Sequence, residues 1–211
     1  MKHKLCLILF FMILFNCKEI FPIEKLSKAL YLDKQFIIKY DSFCENGVKC
    51  NYVINGKAEN EINRIKLLIL KYEDLNIINI TNNYLEAKTE DEEISIYTYN
   101  EKFGCKVEIK IVNYDKENNI NKLIKELIEL KNNNGNDIRY FSYIKSKVSN
   151  IEETLKYVEN NKNLKGVRTI NINNGYTGIA KYKNEKINFA INNYNTGSYL
   201  TIGTPIIFTT Y

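Results

Sequence analysis

His3 is the only imidazole in the 211-residue chain, and it stands in a basic and apolar N-terminal run. From Cys17 onward there is no histidine. Ser–His and Cys–His nucleophilic systems and His-ligated zinc therefore drop out. No glycine-rich loop has phosphate-cradling spacing, and no dinucleotide fingerprint occurs. Carboxylates are what remains for acid–base work. The densest acidic run, Glu90-Asp91-Glu92-Glu93, reads as a solvated hairpin turn. As a loose calcium site it would need further oxygen ligands from elsewhere in the fold. Glu152-Glu153 reads as helix-terminus electrostatics. No catalytic residue, metal ligand or cofactor is assigned. The remaining set is aromatic: Tyr97, Tyr99, Tyr182 and Tyr194 are expected to line an exposed sheet face. Such a face can hold an extended polymer, glycan or peptide by stacking and hydrogen bonding. The alternative for the same tyrosines is ordinary cross-strand packing.

The elements that would position these residues begin after a leader. Lys2, His3 and Lys4 precede an apolar run from Leu5 to Phe15, which ends at Asn16-Cys17. A basic segment followed by a short apolar run has the form of an export signal, too short to span a bilayer comfortably. A cysteine directly after it resembles a lipobox, in which the thiol takes a diacylglycerol. Lipidation at Cys17, ordinary secretion and an uncleaved anchor all put residues 18–211 outside the cytoplasmic membrane, and the first tethers them to the membrane surface. An exported chain meets oxidising conditions. Cys44 and Cys50 enclose ENGVK, so a hairpin disulfide is the expected pairing, with Cys105 left over in a core strand. Three buried thiols are the other reading.

Apolar residues make up 45% of the chain, enough for a core. The formal charge is +5, and without Lys2 and Lys4 the balance is 28 basic to 25 acidic residues. Lysines are interleaved with Glu and Asp along the sequence, which gives nucleic-acid binding little electrostatic support. Helical periodicity predicts helices at 22–32, 57–72, 117–132 and from Ser149 or Asn150 to about 161. Strands are predicted at 35–40, 50–54, 76–81, 84–89, 93–99, 105–113 and 137–147, with a turn at Glu45-Asn46-Gly47. A final set opens at Gly166. The tract 132–136 reads as a boundary, with Gly135 as a left-handed helix cap.

The two halves repeat. Each can be written as strand, helix, then four antiparallel strands. Gly104 matches Gly197, Val107 matches Leu200 and Ile109 matches Ile202, each 93 residues apart, while Tyr84 matches Tyr176. Together with the leader and the ending YLTIGTPIIFTTY, above all Gly203-Thr204-Pro205-Ile206-Ile207, this chain resembles the YwmB-type family of exported bacterial proteins. That resemblance implies a fold similar to the TATA-box-binding protein and brings no catalytic motif. The expected architecture is α+β: a curved antiparallel sheet built from two helix-plus-four-strand repeats, with helices on one face. The expected segments are a leader (1–17), a first repeat (18–133) and a second (134–211). The expected function is non-enzymatic binding of an envelope polymer or protein, without nucleic acid. A carboxylate-based hydrolase of envelope polymers is the competing expectation.

Overall fold

The computed structural model describes residues 42–72, 74–102, 104–117 and 120–209. The leader, Cys17, the helix expected at 22–32 and the strand expected at 35–40 lie outside these residues. The first half comprises β1 (Phe43–Ile54), α1 (Ala58–Ile69), β2 (Asn76–Ile80), β3 (Tyr84–Lys88), β4 (Glu92–Glu101), β5 (Gly104–Asn113) and α2 (Ile120–Leu130). The second comprises β6 (Asn136–Val148), α3 (Ile151–Asn160), β7 (Leu164–Ile172), β8 (Gly175–Tyr182), β9 (Glu185–Tyr194) and β10 (Gly197–Thr204). The fold is α+β. All ten strands form one antiparallel sheet in the order β2-β3-β4-β5-β1-β6-β10-β9-β8-β7. The starts of β1 and β6, α1 and α3, β4 and β9, and β5 and β10 are each 93 residues apart.

Strand alternation explains the layering. In β1, Val48, Cys50, Tyr52 and Ile54 are buried, and they face Ile62, Ile65 and Ile69 of α1 and Leu123, Ile124 and Leu127 of α2. The neighbouring strands supply Leu85, Ile94, Ile96, Val107, Ile109 and Ile111 to the same cluster. A second cluster gathers Ile144, Phe189, Ile191, Leu200 and Ile202 under Val158 of α3. Directly paired residues in an antiparallel ladder point to one face. Asn46 pairs with Ile144, and Ile144 pairs with Ile202, so both clusters lie on the same side of the sheet. All three described helices therefore cover one face.

Helix ends follow local chemistry. Asn150 caps α3, its Oδ1 accepting from the backbone N–H of Glu152 (2.9 Å) and Glu153 (3.1 Å). The two glutamates sit in the first turn, where the helix dipole favours negative charge. Gly135 is not left-handed; the left-handed residue here is Asp137, just inside β6, at φ 52°. Gly166 lies inside β7 rather than opening it, at the bulge between Lys165 and Arg168.

The expected turn at Glu45–Gly47 does not exist: β1 runs unbroken through it. This overturns the Cys44–Cys50 disulfide. Six residues along an extended strand separate two Cα atoms by about 20 Å, while a disulfide needs about 4.4–6.8 Å. Cys44, Cys50 and Cys105 are all free thiols. Burial pushes the Cys50 thiol up to about 12, so it is inert at neutral pH.

Candidate functional site

The face opposite the helices carries the residues of interest. In the first half its surface is Tyr84, Glu86 and Lys88 on β3, Glu93, Ser95, Tyr97 and Tyr99 on β4, and Lys106, Glu108 and Lys110 on β5. Tyr84 and Tyr97 are direct cross-strand partners, their ring centroids 4.7 Å apart and tilted by 40°. Such a pair prefers an offset arrangement because each ring face is negative and each edge positive. The Tyr84 hydroxyl donates to Glu86 Oε2 at 2.8 Å. Desolvation and that carboxylate hold the phenol well above its ordinary range. Tyr99, 52% exposed, continues the aromatic row toward the end of β4.

Two lysines of this half, Lys88 and Lys49, are matched by carboxylates. Lys88 Nζ lies 3.0 Å from Glu86 and 3.3 Å from Glu93, and Lys49 Nζ lies 3.2 Å from Glu108.

The middle of the face is crossed by the chain end. After β10, Phe208 packs edge-on against Tyr143, with centroids 4.8 Å apart, and more loosely against Phe141 at 6.4 Å. Lys49 Nζ sits 5.1 Å from the Phe141 ring centroid and 5.2 Å from that of Phe208. A cation over two ring faces is attracted by both quadrupoles. Two glycines make this possible. A Cβ on Gly47 would meet the Tyr143 ring at 2.5 Å, and one on Gly203 would meet the Ile207 backbone at 2.8 Å. Gly47 is thus a hole in a strand rather than a turn residue. Tyr143 also donates from its hydroxyl to Glu45 Oε1 at 2.9 Å.

Of the four tyrosines expected on an open face, Tyr97, Tyr99 and Tyr194 stand on it. Tyr194 lies in the second half beside Tyr199, with centroids 6.1 Å apart, and it is remote from the β4 row. Tyr182 does not belong to the face: it is 2% exposed and packs in the α3 core cluster. Tyr84 belongs to the group and was not expected there.

The acidic run divides by strand parity. Glu93 faces the open side, while Glu92 aligns with Ile94 and Ile96 and turns under α2, where it is 7% exposed. There it faces Glu126. Burial, then the Glu126 charge, pushes Glu92 up to about 7, and burial raises Glu126 as well. Lys122, 3.7 Å from Glu126 Oε1, opposes the shift. Two carboxyls in this relation cannot both ionise cheaply. A second buried acid, Glu61, behaves oppositely. Burial pushes it up, but bonds from Arg64 (2.6 Å), Asn132 (2.9 Å) and Tyr52 (2.8 Å) outweigh that and hold it below the usual range. Arg64 also donates to the Leu130 carbonyl at the end of α2. This group fastens both helices to β1.

Among the described residues no cluster of three or more His, Cys, Asp or Glu side chains could hold a metal ion. Among them, too, no helix is long and apolar enough to cross a membrane. No family model and no curated protein matches this chain.

Proposed function

We propose that this chain is an exported, non-enzymatic binding module that holds an extended envelope polymer or peptide against the helix-free face of its sheet. The observation that carries this reading is the row of half-buried Tyr84 and exposed Tyr97 and Tyr99 on a face with no described helix over it. Flat rings with a hydroxyl tip, flanked by Lys–Glu pairs, suit sugar rings or peptide planes. The strand–helix–four-strand order in both halves and the 93-residue separations support a double repeat of the TATA-box-binding-protein-like kind. They equally support a division near residue 133.

The hydrolase alternative finds its two converging carboxyls in Glu92 and Glu126. Glu92 is buried beneath α2 and Glu126 faces it from that helix, so the pair is packed between helix and sheet, which disfavours contact with a polymer.

Sedimentation of the protein with insoluble cell-wall polymer tests the binding reading. Tyr97→Ala/Tyr99→Ala is expected to weaken retention about tenfold, since each aromatic contact contributes roughly 0.5–1.5 kcal/mol. Equal retention of variant and wild type would remove the tyrosine row from the function. The export reading, which rests on the leader and Cys17, has a separate test. Radiolabelled palmitate is expected to mark the wild type and not Cys17→Ser; labelling of neither leaves plain secretion.

A further inference from the structure

On strands β7, β8 and β9 the helix-free face carries Lys165, Arg168, Ile170 and Ile172, then Thr177, Ile179 and Lys181, then Lys186, Asn188, Ala190, Asn192 and Tyr194. No carboxylate stands among them. Of the acids of this half, Glu152, Glu153 and Glu159 are on α3 and Glu185 on β9 belongs to the helix side, while Asp137 stands in β6, away from this corner. Lys165 is the direct cross-strand partner of Lys181, and Lys181 is the direct partner of Lys186. Like charges directly opposite one another destabilise a sheet. Here three sit in one row, with Arg168 beside them, and none makes an ion pair among the described residues. The first half of the same face matches Lys88 with two glutamates and Lys49 with one. Lys49 and Lys110 also stand directly opposite in the first half, but there Lys49 has Glu108 at 3.2 Å. The corner has a three-lysine row with no carboxylate beside it, and that row lowers stability unless an anion neutralises it.

A second observation selects the anion. Ile170 is 67% exposed and Ile179 39% exposed, on the same face and next to Arg168 and Lys181. Most exposed isoleucines need no account. Two set into a cationic row at the sheet edge have the composition of an interfacial contact: apolar side chains enter the headgroup boundary while lysines meet anionic lipid. A soluble polyphosphate or nucleic acid would engage the cations and leave both isoleucines in water. We infer that the outer corner of the second half, Lys165, Arg168, Lys181 and Lys186 around Ile170 and Ile179, docks on an anionic membrane surface. Neither the tyrosine row nor Cys17 enters this inference, so its failure and theirs are separable.

The test is vesicle co-sedimentation of the full chain, comparing phosphatidylcholine vesicles with vesicles containing one-third phosphatidylglycerol. The leader's apolar run binds both kinds, so the quantity read is the anionic-to-neutral partition ratio. Lys165→Gln/Lys181→Gln/Lys186→Gln is expected to lower that ratio by about fivefold per lysine, about a hundredfold in all. Because the substitutions relieve like-charge repulsion, the variant's thermal midpoint should equal or exceed that of the wild type, which separates lost binding from lost folding. Ile170→Thr/Ile179→Thr keeps β-branching and is expected to weaken anionic-vesicle binding about tenfold, with retention on immobilised polyphosphate unchanged. Equal ratios for the wild type and the triple variant overturn the inference. So does full vesicle binding by the isoleucine variant with polyphosphate still held, which would make the corner a soluble-polyanion site.

Discussion

Glu92 sits two residues before Ile94 and four before Ile96, so strand alternation turns its carboxyl inward with them. Inside, it meets Glu126 rather than a cation. The folded chain keeps a proton on Glu92 up to about pH 7, whereas an unfolded chain releases it near 4.5. Its contribution to stability is therefore complete below the unfolded value and is lost as pH rises through 7. Glu61 has the opposite sign: its lowered folded pKa contributes stability above 4.5 and loses it as pH falls through the folded value. Glu92→Gln should flatten the decline on the alkaline side. Urea unfolding at pH 5 and pH 8 reads this directly, with the variant about 2 kcal/mol more stable than wild type at pH 8. An unchanged difference between the two pH values would mean that the pair does not hold its proton. From the sequence Glu92 reads as part of a solvated turn before a strand at 93–99, although it is in phase with Ile94 and Ile96 and the strand begins with it. Its partner was not legible either, because no pattern in residues 117–132 says which strand α2 crosses.

Among elements, those with strong periodicity were the legible ones. The helix expected at 117–132 spans Ile120–Leu130, and the Asn150 cap falls where Asn followed by two glutamates suggests. The errors have a common physical origin: small residues that serve a distant partner. Glu45-Asn46-Gly47 has the composition of a turn, yet Gly47 is flat strand because the ring of Tyr143, 96 residues away, lies across it. In β8, Gly178 and Ala180 face inward and leave room for the Phe189 ring, while the larger Ile179 faces out. Taking the larger side chain as the buried one would reverse the parity of that strand and put Tyr182 outside. The cationic corner was hidden for a related reason. Along the chain, lysines alternate with acids and amides, but a period of two sorts them onto opposite faces. Only the register of β7 to β9 then brings Lys165, Lys181 and Lys186 into one row.

At the scale of the whole molecule, a single sheet spans two core clusters, and among the described strands its two halves are joined by the β1–β6 pairing near the centre, with Phe208 packed over Lys49 beside it. The open face is accordingly heterogeneous. Lys–Glu pairs and tyrosines occupy one half, the chain end lies across the middle, and cations without a carboxylate, with isoleucines, occupy the far corner. A domain that met its polymer with the first half and a membrane with the second would hold the two close together.

The seam itself makes the protein severable. β1 and β6 contribute 12 and 13 residues, the two longest described strands of the sheet, and no other described strands join the halves. Each half alone keeps its helices and its core cluster but bares one long backbone edge, and each edge is complementary to the other. Residues 1–133 and 134–211, produced as separate chains, should behave as a split pair: each sticky by itself, and together a one-to-one complex with the circular dichroism of the intact protein. Fragments that remain apart on mixing in size-exclusion chromatography would mean that the covalent link, and not the seam, holds the halves together. If they do reassemble, a reporter divided between the two fragments would make this sheet a switchable adaptor whose assembly can be timed at will.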